Sequence, residues 1–238
     1  MIYEQSLLIG PSKIRIKSDK EKPIYEAIKE IKRHIKELSV YIKSNPFFQF
    51  SLKPLEMDYK APLIVQRMIE ASKTAGVGPM ASVAGAIADL GLETLLRMDA
   101  KVAVVEDGGE ISAFTNNKNI LISILTSEST LSGKIGFLIT SKDSPLGIGT
   151  STGKTDRTVS FGEADSVTIV ADNAALADAA ATAVCNAVVG PNIEKSISEG
   201  LEKAKNIKGV RGALIVREGH IGLMGKLPKI IKIKGAHT

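Results

Sequence analysis

The sequence predicts an α+β fold in which antiparallel hairpins frame blocks of helix. Three observations carry that expectation. Short apolar runs are paired around turn signals at Gly10-Pro11-Ser12, Asp107-Gly108-Gly109 and Glu218-Gly219. Between the first two of these pairs the apolar residues recur at helical spacing instead. A doubly wound parallel fold would alternate single strands with single helices, and this chain does not. Its order is hairpin, helices, hairpin, more strands, helices, hairpin, one pattern used twice. The expectation is a single unit over residues 1–238 made of two halves, 1–118 and 119–238.

The elements follow in order. Residues 3–9 and 14–17 are apolar-rich strands. Ile24, Ile28, Ile31, Ile35, Leu38 and Ile42 then recur at steps of four and three, with Pro23 in the first turn and Asp19 upstream as a candidate cap, which reads as an amphipathic helix. Asn45-Pro46 stops it, and residues 47–59 read as an irregular connection. Pro62 opens a second helix that ends near Gly76, and a glycine-bearing loop feeds a close-packed third helix of small residues leading into Leu90, Leu92, Leu95 and Leu96. Residues 102–105 and 111–114 form a hairpin, 120–125 and 135–140 are strands joined by a Ser/Thr-rich segment, and 158–170 reads as strand, turn and strand. A helix over 174–187 starts at Asp172 or Asn173 as cap, Pro191 starts another reaching Ala204, and 212–216 with 221–224 make the last hairpin.

Composition narrows the function classes. Of the 238 residues, 44% are hydrophobic and 24% charged, as in a soluble globular protein, and no signal peptide or membrane span is read, so the expectation is a cytoplasmic protein. The one cysteine, Cys185, excludes a disulfide and a cysteine-cluster metal site, and His34, His220 and His237 are too scattered for a histidine cage. The net charge of +5 gathers in 13–43 and 226–234, but with no Trp and 4% aromatic residues the stacking platforms of a single-strand binder are missing. Nucleic acid is not an expected partner.

Chemistry concentrates in 166–190. In that Ala-rich helix the ionisable residue is Asp178, and Thr182 stands one turn on at ~3.6 residues per turn, on the same face. Two readings fit the pair: oxygen ligands for a hard cation such as magnesium, or a solvated carboxylate with Thr182 bonded back to the Asp178 carbonyl. Gly76, Gly78 and Pro79 at the third helix's entrance either present N–H groups to an anion or simply make a turn. Gly149-Thr150-Ser151-Thr152-Gly153-Lys154-Thr155 is one residue short of a P-loop and opens no helix, so a P-loop NTPase is excluded. A Gly/Ser/Thr loop with Lys154 and Arg157 as phosphate contacts survives.

These pieces together resemble the ApbE-like superfamily, whose best-known members are FAD:protein FMN transferases. The family's G-I-A-K-G-x-x-x-D resembles residues 81–89, its G-G-D-I resembles VAVVEDGGEI at 102–111, its T-S-G strand end resembles GIGTSTG at 147–153, and its A-D-A-x-x-T-A helix resembles SVTIVADNAALADAAATA. The family lysine falls at Ala84, the G-G-D acid at Glu110, and its His-containing segment has no counterpart between Gly153 and Ser166. The resemblance implies a duplicated tunnelling-fold architecture. It also implies Asp178 and Thr182 as ligands of a divalent cation such as magnesium. The segments around Gly78, Ser82, Gly85, Gly108, Gly109, Glu110, Thr150, Ser151, Thr152, Gly153 and Lys154 would then bind a flavin nucleotide or another small anionic metabolite, all lining one cleft. Binding without catalysis, metal-dependent transfer or pyrophosphate cleavage, and a structural or partner-binding role are the three functions weighed, with a homo-oligomer left open.

Overall fold

The computed structural model describes residues 1–124, 132–154 and 160–233. Two hairpins, β1 (Tyr3–Ile9) with β2 (Ser12–Ser18) and β3 (Val102–Asp107) with β4 (Glu110–Thr115), lie side by side in one antiparallel sheet. The sheet continues through β7 (Leu146–Ser151), β8 (Ser166–Ala171), β9 (Val210–Arg217) and β10 (His220–Gly225), in the order β1-β2-β3-β4-β7-β8-β9-β10. A smaller antiparallel sheet pairs β6 (Ile135–Ile139) with β5 (Ile120–Ser123) on one side and β11 (Lys229–Lys232) on the other. The α+β class with antiparallel sheets is the one the sequence predicts.

Strand alternation sends side chains to two separate cores. Ile14, Ile16, Ala103, Val105, Val167, Ile169, Ala213 and Ile215 face the helices, whereas Ile111, Ala113, Leu146, Ile148, Val170, Leu214 and Val216 face the small sheet and meet Ile122, Phe137 and Ile139. The helical layer begins with α1 (Lys22–Ser44), which has Pro23 in its first turn and buries Ile24, Ala27, Ile31 and Leu38. A short α2 (Pro46–Phe50), α3 (Leu63–Ala75), a 3-10 turn (Pro79–Ser82) and α4 (Val83–Arg97) follow, and the layer is completed by α5 (Ala174–Ala187) and α6 (Ile193–Lys205). α5 is the central helix, packed against α3, α4, α6, β7 and β8.

Several expectations are corrected. Residues 46–50 are helical, because Pro46 restarts the chain as a new first turn and Phe48 drops into the core edge-on to Tyr41, with ring centroids 5.4 Å apart. Asp19 does not cap α1; its Oδ1 accepts the N–H groups of Lys101 and Val102, tying α1's entrance to β3. Residues 160–165 form no strand, and Val159, Thr158, Arg157, Thr155 and Leu125 lie outside the described residues. The 19-residue stretch Pro79–Arg97 does reach the length and apolarity of a membrane span, with a mean hydropathy of 1.2. Its buried residues Gly85, Ala86, Ile87, Ala88, Leu92 and Leu95 are enclosed in this fold, as in a core helix.

Candidate functional site

Glycines set the distance between α5 and the sheet. A Cβ on Gly149 would lie 2.5 Å from the Ala177 carbonyl carbon and from the Asp178 nitrogen, and one on Gly147 would lie 2.1 Å from the Asn173 carbonyl carbon. The missing side chains let α5 rest on β7, with Asp178 directly above Gly149. Asn173 caps α5 as the sequence predicts, its Oδ1 accepting the Leu176 N–H at 2.8 Å. Asp172 instead pairs with Arg211 at 2.7 Å.

α4 and α5 are locked by reciprocal bonds. The Asp178 Oδ2 accepts the Gly85 N–H at 3.0 Å, near the start of α4. In return Asp89 on α4 accepts the Ala174 and Ala175 N–H groups at 2.9 Å each, at the start of α5, and takes the Ser112 hydroxyl at 2.6 Å. Each helix therefore places a carboxylate at the positive end of the other. The sequence reading did not foresee this role for Asp89. Its signal is a matched pair of pentapeptides, GAIAD at 85–89 and AALAD at 174–178.

A cleft of about 320 Å³ opens beside this crossing. Its walls include Gly78 and Ala84 from the α4 entrance, Glu110 from β4, and Thr150 and Ser151 from β7. Asp178 and Thr182 form its α5 face. Four segments far apart in sequence thus reach one concavity. The mouth carries Leu52 and Phe161, exposed by 62% and 66%, and Asn186 holds Phe161 in place by accepting its N–H at 2.8 Å. These three were not anticipated, because they stand on irregular backbone or a helix end with no local motif.

Ser82, Gly85, Gly108, Gly109, Thr152, Gly153 and Lys154 stand outside the cleft lining. The Ser82 hydroxyl is buried and donates to the Pro79 and Met68 carbonyls at 2.8 and 3.2 Å, closing the 3-10 turn. Gly108 and Gly109 shape the β3–β4 turn at φ of 66° and 127° without lining the cleft. Thr152, Gly153 and Lys154 also lie outside the lining: Gly153 bonds to Ala164 at 3.0 Å, and the Lys154 ammonium pairs with the buried Asp165 carboxylate. Gly78 and Gly85 serve close approach, since a Cβ would lie 1.8 Å from the Ser51 carbonyl oxygen and 2.2 Å from the Ala174 carbonyl oxygen respectively.

The cleft is acidic, and among the described residues no Lys, Arg or His lines it. Burial, reinforced by the charges of Asp107 and Glu106, pushes the Glu110 carboxyl up to about 7, against hydrogen bonds from its own and the Thr150 N–H. Burial first and the Glu110 charge second hold Asp178 well above the usual carboxylate range, opposed by the Gly85 and Ala84 N–H groups. Some Asp178 surface still meets solvent, but within a narrow cleft, so the carboxylate is desolvated without being covered. Among the described residues no group of three His, Cys, Asp or Glu side chains gathers around one point, so any cation here would draw on hydroxyls as well as the two carboxylates. The Thr182 hydroxyl makes no hydrogen bond back to the Asp178 carbonyl, which leaves it open to the cleft.

These shifts fix a pH response. Each carboxyl keeps its proton to higher pH in the native state than in the unfolded chain, so the stability these two groups contribute is fullest below about pH 4.5 and is lost as pH rises toward 7. Allowing for solvent in the cleft, the loss assigned to Glu110 is on the order of 2 kcal/mol. Urea midpoints at pH 5 and pH 7.5 measure it, and Glu110→Gln is expected to flatten the slope. An unchanged slope in that variant would remove Glu110 as its source.

Two larger concavities are less suited to a ligand. One of about 450 Å³ lies at the α5 N-terminus, but its Asp89, Glu93 and Asp172 are all engaged, by backbone and Ser112, by Arg67 at 3.0 Å and by Arg211. The other, about 540 Å³, is a shallow hollow beside the end of α1.

Comparison with known proteins agrees with this fold. The family model described as AbpE bacteria matches residues 4–218. A UPF0280 protein of Methanosarcina acetivorans is 38% identical over 214 residues, covering 89% of this chain and 83% of its own. Another, from Methanocaldococcus jannaschii, is 38% identical over 98% of this chain and 94% of its own. Among solved structures, the apo flavinyl transferase ApbE of Pseudomonas stutzeri superposes with a TM-score of 0.64 at 13% identity, covering 96% of each chain. At that identity the likeness is one of fold. A match over most of its length, together with these relatives and this fold, makes the chain a member of the ApbE-like family.

Proposed function

We propose that the cleft binds a flavin or another phosphate-bearing nucleotide or metabolite through a divalent cation such as magnesium, held by Asp178 and Thr182. The observation that carries this reading is charge. A cleft lined by two carboxyls and, among the described residues, no Lys, Arg or His offers a phosphate no counter-charge on its own, and a cation that displaces the carboxyl protons supplies one. The donor set fits the ion, since magnesium and its relatives take carboxylate and hydroxyl oxygens. Leu52 and Phe161 at the mouth offer apolar surface to a ring system. When bound, the cation would supply charge neutralisation at a phosphoanhydride. The chain's own part is to hold it with Asp178, itself fixed by the Gly85 N–H, and to shield it behind the mouth.

Metal-dependent FMN transfer from FAD, or a related pyrophosphate cleavage, is the second reading. The solved neighbour named a flavinyl transferase favours it. Against it, Ala84 stands where the resemblance places the family lysine. Incubation with FAD, magnesium and an acceptor protein separates the two: AMP release or an FMN adduct by mass spectrometry supports catalysis, and intact FAD with saturable binding supports a binding protein. A structural role is the remaining alternative. We place the protein in the cytoplasm, acting on a small anionic ligand, with self-association open to test.

We also read the architecture as two tunnelling-fold-like halves, 1–118 and 119–238, within one unit. Support comes from the sheet order, where β1 to β4 and β7 to β10 each flank a helical block, from the GAIAD and AALAD pair 89 residues apart, and from the reciprocal bonds of Asp89 and Asp178.

A further inference from the structure

The large sheet ends on an unguarded strand. Among the described residues β10 is paired on one side only, with β9. An open edge is ordinarily blunted by charge, proline, a bulge or short length. β1 at the opposite end carries Glu4, β11 in the small sheet carries Lys229 and Lys232, and β5 is four residues long. β10 has six residues, none of them Lys, Arg, Asp, Glu or Pro, and its Ile221 and Leu223 are 50% and 53% exposed on one face. We propose that this edge is a dimer interface, with β10 pairing antiparallel to β10 of a second copy about a two-fold axis beside Gly222.

Backbone parity and register carry the assignment. The two-residue turn Glu218-Gly219 sets Arg217 opposite His220, and the Lys226 N–H reaches the Arg211 carbonyl at 2.7 Å on the same ladder, so His220, Gly222 and Met224 bond to β9. The N–H and C=O groups of Ile221, Leu223 and Gly225 therefore point outward. In self-pairing centred on Gly222, Ile221 of each copy stands opposite the partner's Leu223, both at outward-bonding positions, which gives about four backbone hydrogen bonds. Ile221 and Leu223 of both copies then share one face as cross-strand neighbours. The same register brings the exposed Glu218 at one end of β10 to the partner's Lys226 at the other. Centring on Leu223 would set Glu218 against Pro228 instead, so charge selects the Gly222 register.

The helical layer fits the same axis. α6 packs on both β9 and β10, and a Cβ on Gly222 would lie 2.3 Å from the Ile197 Cγ2 and 3.1 Å from the Leu201 Cδ1, so the axis passes beside the middle of α6. With strands ~4.8 Å apart, a helix seated between β9 and β10 lies about 10 Å from its two-fold mate, the spacing of packed helices. Gly200 turns toward Val184, Val188 and Ile215, so the other flank of α6, with Glu194, Ser198 and Lys205, overhangs the edge. Two-fold symmetry runs the two helices antiparallel and sets Glu194 against the partner's Lys205. Among the described residues none from β9, β10 or α6 lines the Asp178 cleft, so both clefts stay open and this inference stands apart from the proposed function.

Light scattering on a sizing column tests it. The wild-type chain at tens of micromolar is expected at twice its 25.3 kDa mass. Leu223→Lys adds a charge at an exposed edge position and is expected to be monomeric at the same concentration, with an unchanged circular dichroism spectrum. Lys226→Glu is expected to weaken dimerisation about 10-fold, and adding Glu218→Lys to restore it. The Ile221 and Leu223 amides are expected to exchange slowly in wild type and fast in Leu223→Lys. A monomeric wild type would overturn the inference, as would a dimer that persists unchanged in Leu223→Lys. Failure of Glu218→Lys to rescue Lys226→Glu would overturn the Gly222 register.

Discussion

Asp178→Asn is expected to weaken cation-dependent nucleotide binding at least ~100-fold while leaving the protein folded. Asparagine keeps an oxygen for the Gly85 N–H and fills the same volume, so the link between α4 and α5 survives. What disappears is the charge. Loss of one charged partner from a desolvated ionic contact is worth roughly 3–5 kcal/mol, and about 1.4 kcal/mol is a factor of ten in affinity. Asp178 is held above the usual carboxylate range by burial and by Glu110, so its ionised form strains the native state and the substitution removes that strain. The unfolding temperature is therefore expected to match or exceed that of wild type at pH 7.5. Asp178→Ala gives a sharper contrast, since it also leaves the Gly85 N–H without its acceptor. Calorimetric titration with ADP and magnesium checks the affinity, and a scan of each variant checks the fold. Unchanged affinity in Asp178→Asn would take the residue out of the site.

Gly85→Ala is expected to lose at least ~3 kcal/mol of stability, which for a chain of this size is roughly 10 °C in unfolding temperature. The added Cβ would lie 2.2 Å from the Ala174 carbonyl oxygen and 2.7 Å from the Ala175 nitrogen. Both are helix backbone and neither can swing aside. Relief requires α4 and α5 to part, which breaks the Gly85 bond to Asp178 and the Ala175 bond to Asp89 together. Gly91→Ala in the same helix is the control. Its Cβ would meet the Ile31 Cδ1 at 2.8 Å and the Val105 methyls at 3.1 and 3.3 Å, side-chain atoms rather than backbone, and alanine is the better helix former by about 1 kcal/mol, so the loss is expected to be well below that of Gly85→Ala. Thermal scans of the two variants decide it, and equal losses would show that the α4–α5 contact is not what Gly85 protects.

The parts of the fold that the sequence made legible are those with local signals. Ile24 to Ile42 repeat with the helical period because one face of α1 lies on the core, and Gly10, Gly108 and Gly219 mark the turns of three hairpins. β7 was visible only through its likeness to a family strand. Its helix-facing positions Gly147 and Gly149 carry no side chain, because α5 occupies that space, so only Leu146 and Ile148 signal a strand. β11 is hidden in the lysine-rich tail, where Lys229 and Lys232 stay exposed and only its pairing with β6 makes it a strand.

The candidate site divides in the same way. Asp178 and Thr182 were legible as a pair because one helical turn is a fixed distance, and Glu110 through the likeness of its segment to the family's G-G-D-I. Ser82, Gly153 and Lys154 misled because their residue types suit phosphate contacts as well as turns and ion pairs, and sequence cannot show that the Ser82 hydroxyl is engaged by Pro79 and Met68 or that Asp165 lies beside Lys154. Leu52, Phe161 and Asn186 reach the mouth by tertiary packing alone.

The central claim is that a cation in the Asp178 cleft is what lets this protein hold a phosphate-bearing nucleotide. Titration of the wild-type chain with FAD, followed by flavin fluorescence with magnesium and again with excess EDTA, tests it most directly. Saturable binding at one FAD per chain with magnesium, abolished by EDTA, is the predicted result. Binding that persists unchanged in EDTA, or no binding of FAD or ADP under either condition, would contradict it.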